Sequence, residues 1–166
     1  MSLISRGRTP TFHLETPREI LHCPGLPFLS SVPQADRDLL RSGYWVQEGA
    51  TGDAGPEGLM LIADEDFGAN IGPFRCLFAD PDSNDALFSE SAVVITGTDW
   101  RARTKIYDPD SAIIAGSYLT VQDGADATGT YGHLKLAVAA DTVVAQCRYV
   151  ASDWLYFTAL APFKMP

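Results

Sequence analysis

Residues 113–146 read IIAGSYLTVQDGADATGTYGHLKLAVAADTVVAQ, and the fold class turns on them. Tyr118, Thr120 and Gln122 alternate with Leu119 and Val121, and Leu134, Leu136 and Val138 alternate with Lys135 and Ala137. That period of two belongs to half-buried strands, because successive side chains on a strand point to opposite faces. No helical period is sustained anywhere in the stretch. Asp123-Gly124 and Gly132 fall where the chain must turn or loosen. Glycine takes positive φ without steric penalty, and aspartate bonds its own backbone. Meandering antiparallel β structure is the consequence.

Toward the C-terminus the pattern continues through residues 143–148 and 154–160. Trp154-Leu155-Tyr156-Phe157 is the strongest apolar segment and is expected at the centre of a sheet. Toward the N-terminus, residues 44–46, 58–63, 74–79, 86–88, 91–96 and 100–107 read as further strands, with turns at Gly97-Thr98-Asp99 and Asp108-Pro109-Asp110. Strands at this spacing predict a mainly β fold, an antiparallel β-sandwich or a small β-barrel, and exclude a parallel α/β sheet. Gly49, Gly52, Gly55 and Gly58 repeat every third residue as in collagen, but so few triplets cannot propagate a triple helix, and a loop is the better reading.

The front of the chain is different. Thr16-Pro17-Arg18-Glu19 joins a capping-box spacing to proline at the first helical position, which predicts a short helix over 17–23 stopped by Pro24-Gly25. A second short helix is predicted over 36–41. Helices of under two turns do not stand alone, so contact with the body or a partner must hold them. The expected organisation is an extended N-terminal arm, 1–33, before a β-rich body, 34–166. Within that body a split into an acidic loop-rich part, 34–85, and a compact β part, 86–166, stays open.

With 166 residues and a net charge of −9, the chain is long enough to bury a core without disulfides or a structural metal. Residues 34–90 hold twelve acids against three bases, so the acidic excess belongs to the middle of the chain. Such a balance argues against holding nucleic acid through its phosphates. Cys23, Cys76 and Cys147 are odd in number and widely spaced, as suits reduced thiols. No apolar run nears the roughly 20 residues of a membrane span, and no secretory leader is read at the N-terminus.

Chemistry-bearing motifs are sparse. Residues 80–85 (DPDSND) begin like a calcium loop but lack its mid-loop glycine and terminal glutamate, and Asp64-Glu65-Asp66 is a charge cluster without a placed partner. His13, His22 and His133 have no ligand spacing, and His22-Cys23 would need further ligands from afar. No GxSxG, HExxH, P-loop or GxGxxG is present. No catalytic residue, metal site or cofactor is therefore expected. Arg101, Arg103 and Lys105 alternate on one strand face. They could meet phosphate or carboxylate, or simply blunt an edge strand against aggregation.

About the last half of the chain resembles the capsid decoration (cement) proteins of tailed bacteriophages. The resemblance rests on Ser91-Ala-Val-Val-Ile-Thr-Gly97, Ala115-Gly-Ser-Tyr-Leu-Thr-Val121, Gly132-His-Leu-Lys-Leu-Ala137, Val143-Val-Ala-Gln146 and Leu155-Tyr-Phe157. It implies a non-enzymatic structural protein on the outside of an icosahedral virion, made in the host cytoplasm, often trimeric, whose partner is the major capsid protein. Direct nucleic-acid and membrane contacts are not expected. In that picture the arm grips a neighbour, with Phe12, Leu14, Ile20, Leu21 and Phe28 as apolar anchors and Arg6, Arg8 and Arg18 meeting acidic capsid surface. A phage tail or baseplate component, and a small carbohydrate-binding or hydrolytic β module using the acids of 64–66 and 80–85, are the competing readings.

Overall fold

A computed structural model of the chain describes residues 10–27, 40–48, 59–61, 73–78, 91–109, 112–122 and 132–166. Eleven strands are found among them: β1 Phe12–Leu14, β2 Gly25–Pro27, β3 Trp45–Glu48, β4 Leu59–Leu61, β5 Phe74–Leu77, β6 Ser91–Ile95, β7 Arg101–Thr104, β8 Tyr118–Val121, β9 Leu134–Leu136, β10 Thr142–Ala151 and β11 Trp154–Lys164. They form a six-stranded sheet, β1-β7-β11-β10-β8-β9, and a five-stranded sheet, β2-β6-β5-β3-β4. Every pairing between named strands is antiparallel. The architecture is the predicted β-sandwich, and among the described residues neither sheet closes into a barrel.

The two sheets share one core because strands of both turn alternate apolar residues inward. Leu155, Phe157 and Ala159 of β11 and Ala102 of β7 are buried, and Trp45, Cys76 and Ile95 come to the same cluster from the smaller sheet. Aromatic rings fill the middle. Trp45 stacks on Trp100 at 6.1 Å and 19°, and Phe157 meets Trp100 edge-on at 5.5 Å. Phe12 closes the cluster from β1, at 6.5 Å and 72° to Trp100. Such offset and edge-on pairs add roughly 0.5–1.5 kcal/mol each beyond the area they bury.

At Gly132 (φ +78°) the chain folds back on both neighbours, its N–H donating to the Gln122 carbonyl and its own carbonyl accepting from the Trp45 N–H. A Cβ there would stand 3.0 Å from the Trp45 carbonyl oxygen, so the position demands glycine both for its backbone angle and for its space. The turn thereby hydrogen-bonds β3 of the smaller sheet to the segment leading into β9.

The front of the chain departs from expectation. Residues 10–27 are built into the body: β1 lies at one edge of the larger sheet, paired with β7, and β2 at one edge of the smaller sheet, paired with β6. In its described part, residues 10–27, the expected arm is thus a strap joining the edges of both sheets. The predicted helix over 17–23 shrinks to one 3₁₀ turn, Arg18–Ile20, without a side-chain cap. The reason is visible at Thr16. Its hydroxyl accepts the Arg101 N–H at 2.7 Å, so the group that would have capped a helix pins β1 to β7 instead. His22 continues in extended form, bridged to Thr96. The second predicted helix (36–41, except its last two residues), the glycine repeat, the acidic clusters at 64–66 and 80–85, and the strand over 86–88 lie outside the described residues.

Candidate functional site

The outer face of the larger sheet carries a row of cations laid over aromatic rings. Ala102 and Thr104 of β7 point into the core, so the alternation turns Arg101 and Arg103 outward. Likewise Leu155 and Phe157 of β11 are buried, which turns Trp154 and Tyr156 to the same outer face. Register then aligns them across the sheet: His13 opposes Arg103, Arg103 opposes Tyr156, and Tyr156 opposes Tyr149.

Tyr149 reaches this line only because β10 is irregular. The ladder jumps from Cys147–Phe157 to Tyr149–Tyr156, leaving Arg148 without an opposite residue. One extra residue in a strand resets which face the following side chains take. Arg148 and Tyr149 consequently both join the outer surface, where Tyr149 stacks on Tyr156 at 4.2 Å and 17°.

The guanidinium of Arg103 lies 4.7 Å from the centre of the Trp154 ring and donates through Nη1 to the Tyr156 hydroxyl at 3.2 Å. Lys105 Nζ sits 5.1 Å from the same indole. Arg148 is 5.9 Å from Tyr156 and is ion-paired with Glu15, which ties the strap to β10. Each cation over a ring is worth about 0.5–1 kcal/mol when exposed. The larger effect here is orientation: planar rings hold long side chains that would otherwise sample many rotamers. Arg103 Nε and Arg148 Nε are buried and unbonded, while Arg148 Nη2 is held by Glu15. A guanidinium cannot relieve that by losing its proton.

The bland reading of the β7 row, an edge strand blunted by charge, does not apply. β7 has β1 on one side and β11 on the other, and the cations lie on a face whose edge is elsewhere.

The sequence-predicted partner residues scatter. Phe12 is 9% exposed and belongs to the core, and Leu14 and Leu21 are half-buried against that core. These three therefore contribute to the chain's own fold. Arg18 lies over the Phe78 ring at 5.2 Å, and with Phe12 and Leu14 it lines a groove of about 420 Å³ beside the edge strand. Ile20 alone of the described apolar anchors stands out, at 73% exposure. Arg6, Arg8 and Phe28 lie outside the described residues.

Between the sheets near Trp45, Phe74, Ile95 and Trp100 a cavity of about 100 Å³ opens, well short of the roughly 300 Å³ where small-molecule sites begin. Among the described residues no group of three or more His, Cys, Asp or Glu side chains is placed to hold a metal, and His22 and Cys23 gather no further ligands. The arrangement can present several oriented positive charges on a flat, rigid surface, which is the chemistry of docking. Of this site the row Arg101, Arg103, Lys105 was visible in sequence. Trp154 and Tyr156 belong to a run that reads as apolar, and the same period of two sets them opposite Leu155 and Phe157. No family model, curated protein or solved structure matches this chain.

Proposed function

We propose that this chain is a non-enzymatic structural protein of a tailed-phage virion that binds the outside of the icosahedral capsid and strengthens contacts between capsomers. Its partner in this reading is the major capsid protein, and three copies act together at a symmetry position of the lattice. The observation that carries the reading is the oriented cationic aromatic face on one side of a β-sandwich. A rigid sheet face loses little conformational freedom on docking, so more of the contact energy survives as affinity. The decoration-protein resemblance of the second half supplies the partner.

Co-sedimentation of the purified chain with its cognate empty heads tests the proposal. Saturable binding that raises the temperature at which the heads rupture is expected. Failure to co-sediment at low and physiological salt would overturn it. Recovery on tails and not on heads would replace it with the tail-component reading.

A further inference from the structure

The outer face of the larger sheet has more to say about its partner, taking as a starting point the reading of that face as a docking surface. Three facts bear on the class of molecule it fits. Charge is the first. Arg101, Arg103, Lys105 and Arg148 stand together on one face of the larger sheet, with Glu15 paired to Arg148.

Spacing is the second. Residues two apart on one strand face sit about 7 Å from each other, from a rise of about 3.4 Å per residue. Arg101 and Arg103 of β7 therefore repeat at the interval at which an extended polypeptide displays alternate side chains, and Lys105, just past the end of β7, carries the row on to the Trp154 ring.

The third fact is what the rings are already doing. Trp154 carries both Arg103 and Lys105, and Tyr156 is stacked by Tyr149. Single-stranded nucleic acid needs open aromatic faces on which its bases stack, and flat sugar binding needs the same open ring surface. Here the rings are committed to holding cations.

We infer that the outer face of the larger sheet docks an acidic, extended segment of a partner protein, with carboxylates on alternate residues meeting Arg101, Arg103 and Lys105. Trp154 and Tyr156 act as positioning residues that hold the Arg103 fork ready for carboxylate oxygens.

The experiment uses the full chain and fluorescence anisotropy with three probes of equal length: an alternating Glu–Ser peptide, its Gln–Ser counterpart and oligo(dT). Binding of the Glu–Ser peptide alone is expected, weakening as salt is raised. The double variant Arg101→Gln/Lys105→Gln, at two exposed positions, should lose about tenfold in affinity, equivalent to about 1.4 kcal/mol. Trp154→Leu keeps every charge and should still lose several-fold. Circular dichroism and a melting curve establish that each variant is folded. Tighter binding of oligo(dT), equal binding of the Gln–Ser peptide, or an unchanged double variant would overturn the inference. So would salt-sensitive oligomers that vanish in the double variant, since the occupant would then be a second copy of the chain. Peptide binding without head binding would remove the capsid reading and leave this one standing. Head binding indifferent to the double variant would do the reverse.

Discussion

Cys76 and Cys147 sit in the core, and burial pushes both thiols above the ordinary value of 9.0, with Arg148 pulling Cys147 partly back. In the unfolded chain the same thiols ionise near that ordinary value. Above about pH 9 the native state therefore holds protons that the unfolded state has released, and stability falls as pH rises; below it both states are protonated and the contribution is complete. Melting temperature is expected to decline across the alkaline range, and Cys76→Ala should make that decline shallower. An identical slope in the variant would exclude the thiol as its source. A second residue-scale strain lies in the two-residue hairpin between β10 and β11, where Ser152 and Asp153 both take positive φ, at 52° and 66°. Only glycine adopts that region freely, and hairpin turns of this kind prefer it at the second position. Asp153→Gly should stabilise the protein by roughly 0.5–1 kcal/mol in chemical denaturation. Loss of stability would mean that the aspartate carboxylate makes a contribution larger than the backbone relief.

The element most informative about the site is β10. Removing its unopposed residue would bring Cys147 and Tyr149 into regular alternation while leaving Tyr149 opposite Tyr156 and Val150 opposite Leu155. Deletion of Arg148 is therefore expected to fold, with a melting temperature within a few degrees of the parent, because a healed ladder offsets the lost Glu15 pair, itself an exposed interaction of about 1 kcal/mol or less. Collapse of the fold would show that the irregularity is needed to shape the hairpin. This strand also marks how far the sequence could be read. Period-two alternation exposed β8, β9 and the inward set of β11, since those patterns depend only on neighbours along the chain. An irregularity like that at Arg148 leaves no such trace, because it exists only relative to the strand opposite. Thr16 failed for the same reason: its capping-box spacing is local, and the Arg101 N–H that claimed its hydroxyl lies 85 residues away in sequence. The apolar character of the residues read as partner anchors is legible in the sequence; what they meet is not, and Phe12, Leu14 and Leu21 pack on the chain's own core while Ile20 stands exposed.

At the scale of the molecule, the stacked pair Trp45 and Trp100 joins the two sheets, one ring from each side of the core. Neither sheet can lose its inner surface without exposing the other. Unfolding should accordingly be a single transition in which tryptophan fluorescence and far-ultraviolet circular dichroism move together. Two separated transitions would show that the sheets are independent units. The order of strands carries a further consequence. β11, which follows both of its neighbours in sequence, occupies an interior place between β7 and β10. A nascent chain that has not yet delivered residues 154–164 would hold two incomplete half-sheets, each with an open row of backbone donors and acceptors facing its neighbours on the polysome. Chains stalled or clipped ahead of Trp154 are the ones that should clump.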